Sequence, residues 1–354
     1  MSRFFSEKYK NLTPYTPGEQ PKDMKYIKLN TNESPFEPHD AVRQAVENAA
    51  GGLALYPDPE CKELTALLAK QLGVDTEEVL LTNGSDEILN FAFMAFCDKS
   101  HPAVFPDITY GFYSVFAQIN GVPYSEIPLR DDFTIGINDY FRSGKTVFIA
   151  NPNAPTGIAL TVSEIEEIII NNSESVVVID EAYVDFGGES CIPLIKKYDN
   201  LLVTGTFSKS RSMAGARLGF GIGCKALIQD LNTIKYSTNP YNINRLTLAA
   251  GMASLNNNDY TVQNCRTIIE NRQFTAEQLQ NLGFSLTESS ANFVFAKHPK
   301  ISGKELYLKL KKNGILVRHF DKEKISEYNR ITIGTKEQMQ ALINEIKKIL
   351  EEQV

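Results

Sequence analysis

Between about Ala41 and Gly223, short β-branched apolar runs alternate with helix-length stretches, and this alternation constrains the fold more than any other feature. The runs are Val79–Leu81, Ala103–Phe105, Val147–Ala150, Val176–Ile179 and Leu201–Val203. A strand that is apolar throughout must be covered on both faces, which calls for a mostly parallel sheet between layers of helices. The expected fold is α/β. After roughly Asn239 the texture changes: Ile243–Leu255 and Tyr260–Leu282 read as helices. Short strands follow at Phe284–Leu286, Asn292–Ala296, Ile315–His319 and Arg330–Ile333. In Lys336–Glu352, Met339, Leu342, Ile343, Ile346, Ile349 and Leu350 share one helical face. A chain of 354 residues exceeds one comfortable core. The expected organisation is a proline-rich N-terminal arm over 1–38, a large α/β domain over 39–240 and a smaller α+β domain over 241–354.

Bulk properties exclude several classes. Net charge is −7 and basic residues form no extended block, so no nucleic-acid footprint is visible. The longest apolar run, Phe91 to Cys97, falls far short of a membrane span, and the first residues lack a signal peptide's apolar stretch. Five scattered cysteines without a C-x-x-C pair suit a reducing compartment, and with four isolated histidines they offer no metal-ligand spacing. A cytoplasmic protein without membrane, nucleic-acid or metal partners is expected.

Open α/β sheets bind ligands at the carboxyl ends of their strands. There the chain places Asp180-Glu181-Ala182-Tyr183 after one strand and Thr206-Phe207-Ser208-Lys209 after the next. Thr82-Asn83-Gly84-Ser85-Asp86-Glu87 follows a third and leads into a helix. Each has a plainer reading, as a helix cap, a solvated lysine or a capping box. Together, as three neighbouring sheet ends, they are expected to present an acid, an amine and an anion-binding turn. One cofactor, pyridoxal phosphate, needs all three: a lysine imine, a carboxylate that keeps the pyridine nitrogen protonated, and N–H groups at a helix start for the phosphate. Asp180 suits the nitrogen, and Gly84, Ser85 and Asp86 suit the phosphate. Asp86, itself an anion, either caps the helix or faces the pyridine edge.

The stretch S-K-S-R-S-M-A-G-A-R-L-G-F (Ser208–Phe220) resembles the lysine signature of fold-type I aminotransferases, in the branch that includes the histidinol-phosphate aminotransferases. The resemblance covers nearly the whole chain. It continues in L-N-T-N-E-S-P (Leu29–Pro35), Y-P-D-P (Tyr56–Pro59), T-N-G-S-D-E, N-P-N-A-P-T-G (Asn151–Gly157), V-I-D-E-A-Y-V-D-F (Val178–Phe186), A-N-F-V (Ala291–Val294) and R-I-T-I-G (Arg330–Gly334). It implies that Lys209 carries the cofactor and moves the proton, that Asp180 pairs with the pyridinium and that Tyr183 bonds the phenolic oxygen. It also implies that Thr206, Ser208 and Arg217 join the turn in clamping the phosphate, and that Tyr110 stacks on the ring. Tyr56 is implied to reach the phosphate of a neighbouring subunit, in a homodimer with shared sites.

The chain departs from the family at Ala154, where an asparagine usually contacts the phenolic oxygen. Either Asn153, one residue earlier, takes that place, or Tyr183 acts with less help; Asn153 is the expectation. Among substrate groups, the resemblance implies that Arg330 grips a carboxylate, that Arg318 adds a second cation and that Tyr15 meets a substrate phosphate. Asn32 belongs to the same set. The plainer reading of Arg318 and Tyr15 is a surface ion pair and a packed aromatic. The expected reaction exchanges an amino group between histidinol phosphate and 2-oxoglutarate or glutamate. Decarboxylation of L-threonine O-phosphate and aromatic amino-acid transamination are the alternatives on the same fold.

Overall fold

The computed structural model describes residues 2–352. Its centre is a seven-stranded sheet in the order Val79–Thr82, Gly219–Gly223, Leu201–Thr206, Val177–Asp180, Thr146–Ala150, Ala103–Pro106, Tyr124–Ile127. All pairings are parallel except the two made by Gly219–Gly223, which runs against both neighbours. Alternate side chains of each strand face opposite layers, as the pleat requires. Val147 and Ile149 pack with Leu64, Leu68, Ile165 and Ile168 from the helices Lys62–Leu72 and Val162–Ile170. Phe148 and Ala150 pack with Ile88, Phe93, Tyr113 and Leu231 from Ser85–Phe96, Phe112–Asn120 and Lys225–Thr238. The central strands are buried end to end, which is why they read as unbroken apolar runs.

A second core lies around an antiparallel sheet ordered Arg318–His319, Asn329–Thr332, Phe293–Lys297, Ser285–Leu286. The helix Lys336–Glu351, capped by a Thr335/Gln338 capping box, supplies Met339, Leu342, Ile343, Ile346 and Ile349 to that core. The helices Asn258–Asn281 and Gly303–Lys312 cover it as well. The N-terminal segment is built into this unit earlier than its proline content suggests. Ile27–Lys28 pairs in parallel with Ile315–Leu316, and Leu29 is only 1% exposed.

Two strands of the central sheet escape the sequence pattern. Tyr124–Ile127 is an edge strand with alternating exposure and no apolar run. Gly219–Gly223 is glycine-rich because its neighbours leave no room: a Cβ on Gly219 would come within 2.4 Å of the Gly84 carbonyl carbon, and one on Gly221 within 2.8 Å of Ile88. Among the described residues no helix is long and apolar enough to cross a membrane.

Candidate active site

The reversed strand corrects one expectation about the site. The phosphate-turn strand and the lysine strand are not neighbours; Gly219–Gly223 lies between them. Because that strand runs backwards, its first residues sit at the carboxyl end of the parallel strands, and Arg217 is delivered to the same edge. The acid and the amine do come from adjacent strands, Val177–Asp180 and Leu201–Thr206.

These edges line a narrow cavity of about 80 Å³ formed by Ser85, Asp86, Asp180, Thr206, Lys209 and Arg217, with Tyr110, Ala154 and Tyr183 among the rest. Asp180 is 4% exposed. Its carboxylate accepts from Tyr113 Oη at 3.2 Å, the Ala182 amide at 3.2 Å and Thr204 Oγ1 at 3.4 Å. No basic side chain among the described residues forms an ion pair with it. Burial pushes its pKa up to about 6, against the lowering effect of those hydrogen bonds. A buried carboxylate held by neutral donors, with no cation of its own, is chemically suited to a protonated ring nitrogen.

The phosphate side of the cavity is a cradle of donors. The helix Ser85–Phe96 begins after Gly84 (φ +77°), and no side chain caps it, so its first amides lack a capping acceptor. A Cβ on Gly84 would come within 2.5 Å of the Arg217 guanidinium. Arg217 Nη2 donates to Asp86 Oδ2 at 2.8 Å, and Nη1 lies 3.5 Å from Ser208 Oγ. Thr206 Oγ1 lies 3.0 Å from Ser208 Oγ and accepts from the Ser208 amide at 3.1 Å. Asp86 does not cap the helix: its carboxylate accepts from Arg217 and, at 2.5 Å, from Tyr110 Oη. It holds the arginine and the tyrosine in place. Burial raises the Tyr110 hydroxyl pKa well above its ordinary value, so that hydroxyl stays a donor.

Lys209 lines both this cavity and a larger one of about 510 Å³. Its Nζ donates to the Thr31 carbonyl at 3.3 Å and lies 5.8 Å from the centre of the Tyr183 ring. Tyr183 Oη accepts from Asn32 Nδ2 at 2.9 Å, which leaves its own proton to donate. Asn32 in turn is fixed by Thr332 Oγ1 at 2.9 Å, and Asn292 donates to its carbonyl at 3.0 Å.

Asn153 is not brought to the cleft. Its side-chain oxygen accepts from Thr109 Oγ1 at 2.8 Å, and its amide donates to the Ile108 carbonyl at 3.0 Å and to Thr156 Oγ1 at 3.1 Å. With those bonds made it braces the loop, and Ala154 lines both cavities instead. Tyr56 also stands away from this chain's cleft. It is 77% exposed and stacks on Tyr241 with ring centres 4.5 Å apart.

The larger cavity brings Tyr15, Asn32, Arg318 and Arg330 together beside Lys209. Arg330 is deeply placed: its Nη2 donates to the Asn30 carbonyl at 3.0 Å, while its Nε is buried without a partner. Burial lowers its pKa. Arg318 donates to the Pro17 and Thr16 carbonyls, each at 3.2 Å. Tyr15 stacks on Phe112 at 4.2 Å. Neither arginine forms an ion pair with a carboxylate among the described residues. Two guanidiniums in one wall without a counter-anion are chemically suited to an anionic ligand.

Sequence reasoning missed Tyr113 and Thr204, the partners of Asp180, and Thr31, the partner of Lys209. Thr204 had a signal, since it lies opposite Asp180 in the strand register. Tyr113 and Thr31 had none, because tertiary packing alone places them. Glu181 was also passed over. It is 5% exposed, burial pushes its pKa up to about 7, and it accepts from Ser190 Oγ and the Cys191 amide, both at 2.6 Å. It ties down the loop after Tyr183.

A lysine, a buried acid and a helix-start cradle at one sheet edge define an aminotransferase site, and the profile of the family described as "Aminotransferase class I and II" matches residues 24–346. The chain belongs to that family. Within it, the chain stands among the histidinol-phosphate aminotransferases. It is 51% identical to the histidinol-phosphate aminotransferase of Brachyspira hyodysenteriae over 352 residues, 99% of each chain. Among the solved structures that share its fold are the following two. The histidinol-phosphate aminotransferase of Sinorhizobium meliloti, in complex with pyridoxal-5'-phosphate, has a TM-score of 0.86 at 24% identity, covering 93% of this chain and 92% of that one. The L-threonine-O-3-phosphate decarboxylase of Porphyromonas gingivalis has a TM-score of 0.82 at 22% identity, covering 92% of this chain and 99% of that one.

Proposed function

We propose that this protein uses pyridoxal phosphate to transfer the amino group of histidinol phosphate to 2-oxoglutarate, yielding imidazole-acetol phosphate and glutamate. The observation that carries the substrate class is the pair of guanidiniums, Arg318 and Arg330, in one wall of the cavity that Lys209 enters. A phosphate on one substrate and a carboxylate on the other meet the same need.

When bound, pyridoxal phosphate supplies an electron sink for the carbon that bears the amino group. The residues of the chain do the rest. Asp180 holds a proton at the ring nitrogen, and its neutral partners Tyr113 and Thr204 keep it aimed there. Ser85 and Asp86 amides, Thr206, Ser208 and Arg217 hold the phosphate, and Asp86 steadies Arg217. Tyr110 covers the ring, and Tyr183, oriented by Asn32, donates to the phenolic oxygen in place of the asparagine absent at Ala154. Lys209 first carries the cofactor and then takes and returns the proton at the substrate carbon; an ordinary lysine is almost fully protonated at pH 7, and this attachment delivers it as a base.

The protein works as a homodimer in which Tyr56 serves the neighbouring subunit's phosphate. The exposure of Leu53, Leu55 and Tyr56, at 58%, 72% and 77%, supports an occupied surface there. Five free cysteines support a cytoplasmic setting.

Purified protein is tested by comparing kcat/KM for histidinol phosphate, O-phospho-L-threonine and aromatic amino acids. Amino transfer is expected to be fastest from histidinol phosphate. Carbon dioxide release from O-phospho-L-threonine without glutamate formation would overturn the reading.

A further inference from the structure

Lys235, in the helix Lys225–Thr238, is 2% exposed, and no step above uses it. A buried ammonium is unfavourable unless a defined partner holds it. Its Nζ donates to the Pro59 carbonyl at 2.5 Å. That carbonyl belongs to the turn that follows Tyr56, which is itself tightly built. Asp58 accepts from the Glu60 and Lys62 amides, both at 3.0 Å, and Cys61 takes a left-handed φ of 52°. At the other end of the turn, Arg245 Nη2 donates to the Tyr56 carbonyl at 3.0 Å. The Tyr241 ring lies on the Tyr56 ring, 4.5 Å apart and inclined by 22°. One short span of chain therefore grips this turn at both ends and along the aromatic side chain. The side chain so held is 77% exposed and adds little to its own core.

We propose that Lys235, Tyr241 and Arg245 are positioning residues that hold Tyr56 in the attitude in which it meets the cofactor phosphate of a second subunit. This rests on the reading of the protein as a homodimer with shared sites. A grip that serves packing alone acts on the subunit that carries it. A grip that aims Tyr56 acts on the partner's site.

The experiment separates these. Lys235→Met keeps the aliphatic stem and removes the ammonium; Tyr241→Ala removes a partly exposed ring and tests the same grip should Lys235→Met fail to fold. Each homodimer is expected to bind pyridoxal phosphate about tenfold more weakly, the scale of one hydrogen bond to a charged group. Differently tagged subunits then give mixed dimers with Lys209→Ala. Borohydride trapping on Lys209, titrated with cofactor, reports the one site that retains Lys209. In such a dimer that site receives Tyr56 from a subunit with an intact grip, so its cofactor affinity should return to the parent value. Tyr56→Ala, mixed in the same way, is the control. Restoration for Tyr56→Ala but for neither grip variant overturns the inference and leaves the shared-site dimer standing. No restoration for Tyr56→Ala overturns the shared site, and the inference with it. Unchanged affinity in the grip-variant homodimers overturns the inference directly.

Discussion

Replacing Asp180 by asparagine should stabilise the cofactor-free protein at neutral pH while weakening its hold on the cofactor. The carboxyl is 4% exposed, and burial moves its pKa from 3.8 to about 6. That displacement corresponds to about 3 kcal/mol of preference for the neutral form. The sign follows from linkage: a carboxyl whose folded pKa is raised carries no penalty below its unfolded pKa. The penalty builds between 3.8 and about 6 and is complete above that range. Asparagine has no charge to bury, but it rearranges the bonds from Tyr113, Ala182 and Thr204, at a cost of about 1 kcal/mol. Without cofactor, Asp180→Asn should therefore gain about 1–3 kcal/mol over the parent at pH 7.5, and the gain should vanish near pH 4 to 5. With cofactor the order changes. The parent's carboxylate then faces a cation, and the variant loses a charge-assisted bond of roughly 1.5–3 kcal/mol. Urea unfolding with and without pyridoxal phosphate, at pH 5 and 7.5, reads all four states. A variant that is less stable without cofactor at pH 7.5, or a difference that does not change with pH, would refute the argument.

Two further expectations concern the lysine and the substrate wall. Borohydride reduction of the loaded protein, followed by peptide mapping, should mark Lys209 and should mark nothing in Lys209→Ala; a mark on another lysine removes Lys209 from its role. Arg318→Gln should lower kcat/KM for histidinol phosphate ten- to a hundredfold, about 1.5–3 kcal/mol, and for an unphosphorylated donor much less. Equal losses for both donors would make Arg318 an anchor for the Thr16 and Pro17 carbonyls and nothing more.

Much of the site was legible because its groups follow strands that are apolar throughout, and such strands announce themselves without tertiary information. Asp180, the Gly84 turn and Lys209 follow such runs by one, three and six residues, so their place near the sheet edge follows from the pattern. The strand that carries Arg217 to that edge was not legible. Its glycines answer to the Gly84 backbone and to Ile88, distant residues whose closeness no local pattern encodes. Asn153 shows the limit of position along the chain. It is one residue from the expected place, yet Ile108, Thr109 and Thr156 hold its amide elsewhere. Tyr113 and Thr31 meet the key groups only through packing between separate elements. The pairing of Ile27–Lys28 with Ile315–Leu316 was not legible for a related reason, since it spans most of the chain.

The central claim is that nitrogen moves from a phosphorylated amino alcohol to an oxo-acid at Lys209, and nitrogen itself is the most direct reporter. Histidinol phosphate labelled with ¹⁵N at its amino group, incubated with the loaded protein and 2-oxoglutarate, should give ¹⁵N-glutamate mole for mole with the histidinol phosphate consumed. Lys209→Ala should give essentially none. Label recovered as ammonium, or retained on histidinol phosphate while 2-oxoglutarate stays unchanged, would contradict the account.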